Sequence, residues 1–243
     1  MLASALLGES PPTLPVRRLV RIAALFGINE NRARVALSRM VASGEVLGDG
    51  AGTYTLTGRL AERAARLAVS RTGTTAPFDG TWHVVVVTAT GDAPATRRER
   101  RASLRAARLG ELRDGTWLRP TNLEVVLDDA TSASAVLFTS VPRVDPAALA
   151  ASVFDLAGWA RRAEQLCDEL DTIGLDGPRA LAEGFERDAE VLRHLQRDPL
   201  VPLELLPADW PGAALRERFD AFDAAYRHLL GTAHRSIAAA SRR

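Results

Sequence analysis

Apolar positions near the start of the chain recur at helical steps, with Leu19, Ile22, Ala23 and Phe26 on one face of a segment from Val16 to Phe26. Gly27-Ile28 breaks that pattern, and Asn29 is a suitable N-cap for a second helix from Glu30 to Ser43. This second helix turns Ala33, Ala36, Leu37 and Met40 inward and leaves Asn31, Arg32, Arg34, Ser38 and Arg39 outward. Gly44 closes it as a C′ residue. The period then changes: Glu45 to Leu47 and Thr53 to Leu56 pair as strands around the loop Gly48-Asp49-Gly50-Ala51-Gly52. Ahead of these elements, Leu2 to Leu7 is the one candidate for a further helix.

Ser70 to Pro77 marks a boundary, where a helical pattern gives way to Arg-Thr-Gly-Thr-Thr-Ala-Pro. Trp82 to Thr88 reads as a strand, Ala95 to Leu109 as an Arg-rich helix, and Trp117, Leu123 to Leu127 and Ala135 to Phe138 as further strands. A second boundary falls at Val141 to Pro146. Pro146 suits a helix N1 position, and Leu156, Trp159, Ala163, Leu166 and Leu170 then recur at steps of three and four. Leu215, Phe219, Phe222, Tyr226 and Leu229 repeat the spacing. The fold class is α+β, in three parts: residues 1–70, a small α+β module at 77–145, and a helical region at 146–243.

With 243 residues, 47% of them apolar, the chain can fill a proper core. Its longest run of strongly apolar residues is Val84 to Val87, far from the roughly 20 that a spanning helix needs. No basic n-region precedes Glu9, so the expected location is the cytoplasm, without membrane association. The lone Cys167 excludes an internal disulfide and a Cys-based zinc cluster. All 31 basic residues are Arg, a bias that reads first as codon usage. Their distribution is more informative: residues 1–71 carry 10 Arg against 5 acids, whereas 145–243 carry 12 against 17. A basic end attached to an acidic body points to a polyanion partner at the N-terminus.

Two helices joined by a short turn, the second with long hydrogen-bonding side chains on its free face, fit a helix-turn-helix whose second helix enters the major groove of double-stranded DNA. The following hairpin is its wing. Arg34 and Asn31 are expected at base edges, with Ser38 on the same face, and Arg32, Arg39 and the wing on phosphates. One such helix reads only a few base pairs. A homodimer on an inverted repeat follows, held together by the body after residue 77. The wing's glycines are not a dinucleotide fingerprint, because they join two strands and Thr53 stands where the third glycine belongs.

The run Phe26-Gly-Ile-Asn-Glu-Asn-Arg-Ala-Arg-Val-Ala-Leu-Ser-Arg-Met-Val-Ala-Ser-Gly44 resembles the helix-turn-helix of the phenylacetate-degradation repressor family, PaaX. Three further stretches agree in order: Tyr54-Thr-Leu-Thr-Gly58, then Phe78-Asp-Gly-Thr-Trp82 with Gly115-Thr-Trp-Leu-Arg-Pro120, and Leu206-Pro-Ala-Asp-Trp-Pro-Gly212. The resemblance spans nearly the whole chain. It implies a winged helix-turn-helix, a ferredoxin-like central domain and a helical C-terminal domain. It also implies a dimeric repressor of an aromatic-acid or acyl-CoA catabolic operon, released by a small-molecule effector such as phenylacetyl-CoA bound between the central and C-terminal domains.

Other chemistry finds little footing. His83, His194, His228 and His234 fall in no metal-ligand spacing, and there is no G-x-S-x-G elbow or Lys-bearing phosphate loop, so no enzyme, catalytic residue, metal or resident cofactor is expected. Arg97, Arg98, Arg101 and Arg105 crowd one helix; they form either a solvated face or a site for the phosphates of an acyl-CoA effector. Two other readings stay open. One is a non-catalytic protein–protein adaptor. The other is a metal-dependent nuclease, since the central module is similar to a fold used by some CRISPR-associated nucleases, although its first strand ends Val87-Thr88-Ala89 with only Asp92 nearby.

Overall fold

The structure is a computed structural model that describes residues 2–9, 11–176 and 180–240, with side chains described through residue 232. The chain divides into two compact units: residues 1–72 with 165–196 and 214–243, and residues 73–164 with 197–213.

The first unit begins with α1 (Leu2–Leu7), β1 (Thr13–Pro15), α2 (Val16–Leu25) and α3 (Glu30–Ala42), followed by β2 (Val46–Gly48), β3 (Thr53–Leu56) and α4 (Gly58–Thr72). The three strands form one antiparallel sheet in the order β1-β3-β2. Leu2 and Leu6 of α1 are buried with Leu14, Leu19, Ala23, Ala33, Leu37, Val46 and Leu56, so the short first helix is an integral wall of the core. The helices end where the sequence predicts, to within a residue. Gly44 has φ +72°, the left-handed conformation that a C′ residue adopts without a Cβ penalty. Strand β1 has no counterpart in the sequence reading; its three residues are too few to show a period.

The second unit contains β4 (Trp82–Val87), α5 (Pro94–Ala106), β5 (Gly110–Arg113), β6 (Thr116–Pro120), α6 (Asp129–Ser132), β7 (Ala135–Ser140) and α7 (Pro146–Val153). Its antiparallel sheet has the order β5-β6-β4-β7, and the β-α-β-β-α-β sequence with this order is the ferredoxin-like arrangement. Alternate residues of β4 serve opposite faces. Val85 packs with Leu104, Leu109 and Trp117, while Trp82 packs with Leu118, Ala150, Leu156, Val201 and Leu205.

The expected strand at Leu123 to Leu127 is not formed, and β5 and α6 stand where no element is expected. The alternation is real, since Val125 and Leu127 lean on the cluster around Trp117 while Val126 faces solvent. However, β6, which precedes the segment, is already flanked by β5 and β4, leaving no free ladder beside it.

Helix α8 (Leu156–Thr172) is followed by α9 (Ala180–Gln196) and α10 (Gly212–Ala240), with a 3₁₀ turn at Leu203–Leu205. Within the first unit, α9 packs on α4. A Cβ at Gly184 of α9 would lie 2.5 Å from the ring of Tyr226, so only glycine lets α10 approach there. Arg71 of α4 bonds Asp220 at 3.0 Å and Asp223 at 2.8 Å and lies over the ring of Phe219, fixing α4 against α10. The fold is therefore α+β: a winged helix-turn-helix, a ferredoxin-like central domain and C-terminal helices.

Candidate nucleic-acid interface

Helix α3 starts cleanly because the Asn29 side chain accepts the backbone N–H of Arg32 at 2.9 Å. Ala33 and Leu37 are buried, which fixes the helix in rotation and leaves Asn31, Arg32, Arg34, Ser38 and Arg39 exposed together on the far side. Arg34 pairs with Glu30 one turn earlier, at 2.7 Å, and Ser38 Oγ donates to the Arg34 carbonyl at 3.1 Å. Both contacts are solvent-exposed, so each is worth little and can be exchanged for contacts to an incoming partner. Arg32 and Arg39 have no acidic partner among the described residues.

Val35 lies between the polar residues on this outward face and is 44% exposed, an apolar position that a pattern of long polar side chains does not mark. Such a side chain is the type that meets a thymine methyl in a groove.

The wing is held by one carboxylate. Asp49 accepts the N–H groups of Ala51 and Thr53, each at 2.8 Å, and the Thr53 bond above all keeps its carboxyl below the usual range. At the wing's base, Thr57 Oγ1 donates to the Gly44 carbonyl at 2.9 Å, tying the end of β3 to the end of α3. Wing and helix are thus offered as one rigid surface. Leu47 on β2 is 63% exposed, a second outward apolar residue of this surface.

The arginines of α5 are less uniform than their spacing implies. Arg101 reaches both Glu111 oxygens at 2.5 Å, and Arg105 lies 4.0 Å from Glu111 with its guanidinium 5.7 Å from the centre of the Trp117 ring. Arg97 and Arg98 are exposed and form no ion pair among the described residues. Nearby Asp92, the carboxylate that a nuclease reading needs, is bound by Arg100 at 2.6 Å. Burial and then the charge of Arg119 push the His83 imidazole toward its neutral form, while the His234 side chain lies outside the described residues. Among the described residues, no three His, Cys, Asp or Glu side chains gather as a metal site would require.

Fold and surface define a winged helix-turn-helix protein with a ferredoxin-like centre and C-terminal helices. The PaaX-like protein model matches residues 2–60, the PaaX central Cas2-like domain residues 75–142, and the PaaX-like C-terminal domain residues 156–239. The chain belongs to the PaaX family, whose members are generally transcriptional regulators of phenylacetate catabolism and not enzymes. Among solved structures it is similar to an uncharacterized protein from Mycobacterium tuberculosis: 35% identity, 94% of this chain and 95% of the other covered, TM-score 0.72. Comparison with the curated proteins gave no match. No helix among the described residues is long and apolar enough to cross a membrane.

Proposed function

We propose that this protein is a cytoplasmic, homodimeric transcriptional repressor that places α3 in the major groove of an inverted-repeat operator. The observation that carries this reading is the capped, core-anchored α3, whose exposed face holds Asn31, Arg32, Arg34, Ser38 and Arg39 beside a wing tied to the same helix. Arg34 and Asn31 read base edges once Arg34 releases Glu30, and Arg32 and Arg39 pair with phosphates. The dimer reading draws support from β7, an edge strand with Val136, Leu137 and Phe138 all substantially exposed. Apolar side chains on both faces of an open edge favour pairing with a second copy.

The operon is one for aromatic-acid or acyl-CoA breakdown, and the effector that releases the repressor is phenylacetyl-CoA or a related thioester. Arg97 and Arg98, without acidic partners among the described residues, are the side chains on α5 best able to take its phosphates; Arg101 and Arg105 must first give up Glu111. The protein itself carries out no catalysis.

The test is fluorescence anisotropy with labelled DNA from upstream of the protein's own gene, at several salt concentrations, with and without phenylacetyl-CoA. Preference for that DNA over a scrambled duplex, weakened by the thioester, supports the reading. Equal affinity for both duplexes overturns it and favours a protein–protein adaptor.

A further inference from the structure

A cavity of about 370 Å³ opens within the unit formed by residues 1–72, 165–196 and 214–243. Ile22 and Leu25 of α2, Phe26 at its C-cap, Phe185 of α9, and Tyr226 and Leu230 of α10 supply its apolar lining. Phe26 and Phe185 meet edge to face with ring centres 5.2 Å apart. The volume lies at the lower end of the roughly 300–1,000 Å³ of ligand pockets, and an apolar lining with a few charged groups is their usual composition.

Most of the lining charges are already paired. Arg18 bonds Glu9 at 3.0 Å, and Arg227 bonds Asp223 at 3.0 Å, Glu9 at 3.3 Å and the Gly8 carbonyl. Two kinds of group are left over. Arg17 and Arg21, one turn apart on α2, have no acidic partner among the described residues, and no described group donates a hydrogen bond to the Asp188 carboxylate. An occupant that completes this set carries an anionic group for the two arginines, an apolar body, and a hydroxyl or N–H donor for Asp188.

We propose that this cavity binds a small hydrophobic organic acid, with its anionic group on Arg17 and Arg21 and its body among Ile22, Leu25, Phe26, Phe185 and Leu230. The charged lining makes the assignment selective. A larger cavity, about 540 Å³ beside Phe154 and Trp210, carries only Asp155, Glu164 and Asp209 as charged residues and repels an anion. Position gives the site a consequence. Helix α2 lines the cavity with one side while Leu19 and Ala23 on its other side pack with Ala33 and Leu37 of α3, so an occupant bears on the helix that carries the DNA-reading face. That coupling rests on the regulator reading above; binding itself does not.

The binding test uses the full chain without DNA and the aromatic anion 8-anilinonaphthalene-1-sulfonate as a fluorescent probe. One saturable site is expected, displaced by naphthalene-2-carboxylate and at least tenfold less well by its methyl ester. Arg17→Gln/Arg21→Gln, at exposed positions, and Leu230→Trp, which fills the cavity, should each weaken the probe at least tenfold, with circular dichroism confirming an unchanged fold. Absence of a saturable site, equal displacement by acid and ester, or unaltered affinity in both variants overturns the site, whatever the protein does with DNA. Operator binding is then measured with the carboxylate at saturation. A change of threefold or more supports the coupling, and an unchanged affinity overturns it.

Discussion

Arg108 and Leu200, the two non-glycine residues with left-handed backbones among those described, turn their carbonyls onto one buried pair: Arg108 accepts from Arg119 at 3.3 Å, and Leu200 accepts from Asn122 at 2.8 Å. Arg119 and Asn122 are themselves joined at 3.1 Å, and both are buried. Burial and then the neighbouring Arg108 push the Arg119 guanidinium down to about 9, still high enough to remain charged near neutrality. A cation that donates, among the described residues, to carbonyl-type oxygens alone holds β6 against the segment that carries Leu200. The backbone strain, of order 1–3 kcal/mol per residue, persists because the network over-determines it.

Asn122→Ala should therefore destabilise the protein by about 2–3 kcal/mol, since it leaves both the Leu200 carbonyl and one Arg119 donor buried without a partner. Urea denaturation followed by circular dichroism checks this. A loss under about 0.5 kcal/mol, the range of ordinary surface substitutions, would mean that water or a repacked side chain takes over the role.

On α3, Arg34→Ala should flatten base preference at one or two positions of each half-site, at about 1–3 kcal/mol of discrimination. Arg39→Ala should instead weaken all sequences alike and make the slope of log K against log salt shallower by about one unit. Competition binding with single-base operator variants at graded salt separates the two. Wild-type affinity in an Arg34→Ala/Arg39→Ala double mutant would remove α3 from the interface.

Asp188 predicts a pH signature. Burial, reinforced by Asp223 and opposed by Arg71 and Arg227, raises its carboxyl to about 6. The folded state thus holds a proton that the unfolded state releases near 4, so stability declines as pH rises from about 4 to about 6 and the penalty persists above. Asp188→Asn should melt several degrees above wild type at pH 8 and converge with it near pH 4. A gap of equal size at both pH values would assign the effect to packing.

Gly184→Ala should destabilise the protein, although the same change at an exposed helix site stabilises by about 0.5–1 kcal/mol, because its methyl meets the Tyr226 ring at 2.5 Å. Thermal melts compared with Gly184→Ala/Tyr226→Leu test this: the second change should recover part of the loss if the ring is the obstacle.

At the edge of the central sheet, Leu137→Asp/Phe138→Asp should yield a monomer by light scattering, with weaker operator binding, if β7 joins the protomers. A dimer that survives both substitutions places the interface elsewhere.

The sequence by itself determined the winged helix-turn-helix, because its signals are local. The Asn29 cap, the buried steps through Ala33 and Leu37, and the left-handed Gly44 each act within a few residues of where they are written. The outward face of α3 follows from those positions by helical geometry alone. Only the tertiary structure decided that Leu123 to Leu127 forms no ladder: β6, the strand before it, is already flanked by β5 and β4, and Val125 and Leu127 pack on the cluster around Trp117 instead. The same holds for charge. Arg97, Arg98, Arg101 and Arg105 read alike along the helix, yet Glu111 arrives from β5 to claim two of them. The cavity beside α2 is the extreme case: Glu9 and Arg227, or Phe26 and Phe185, are brought together across most of the chain. Side chains so far apart in sequence share no period, and only packing makes them neighbours.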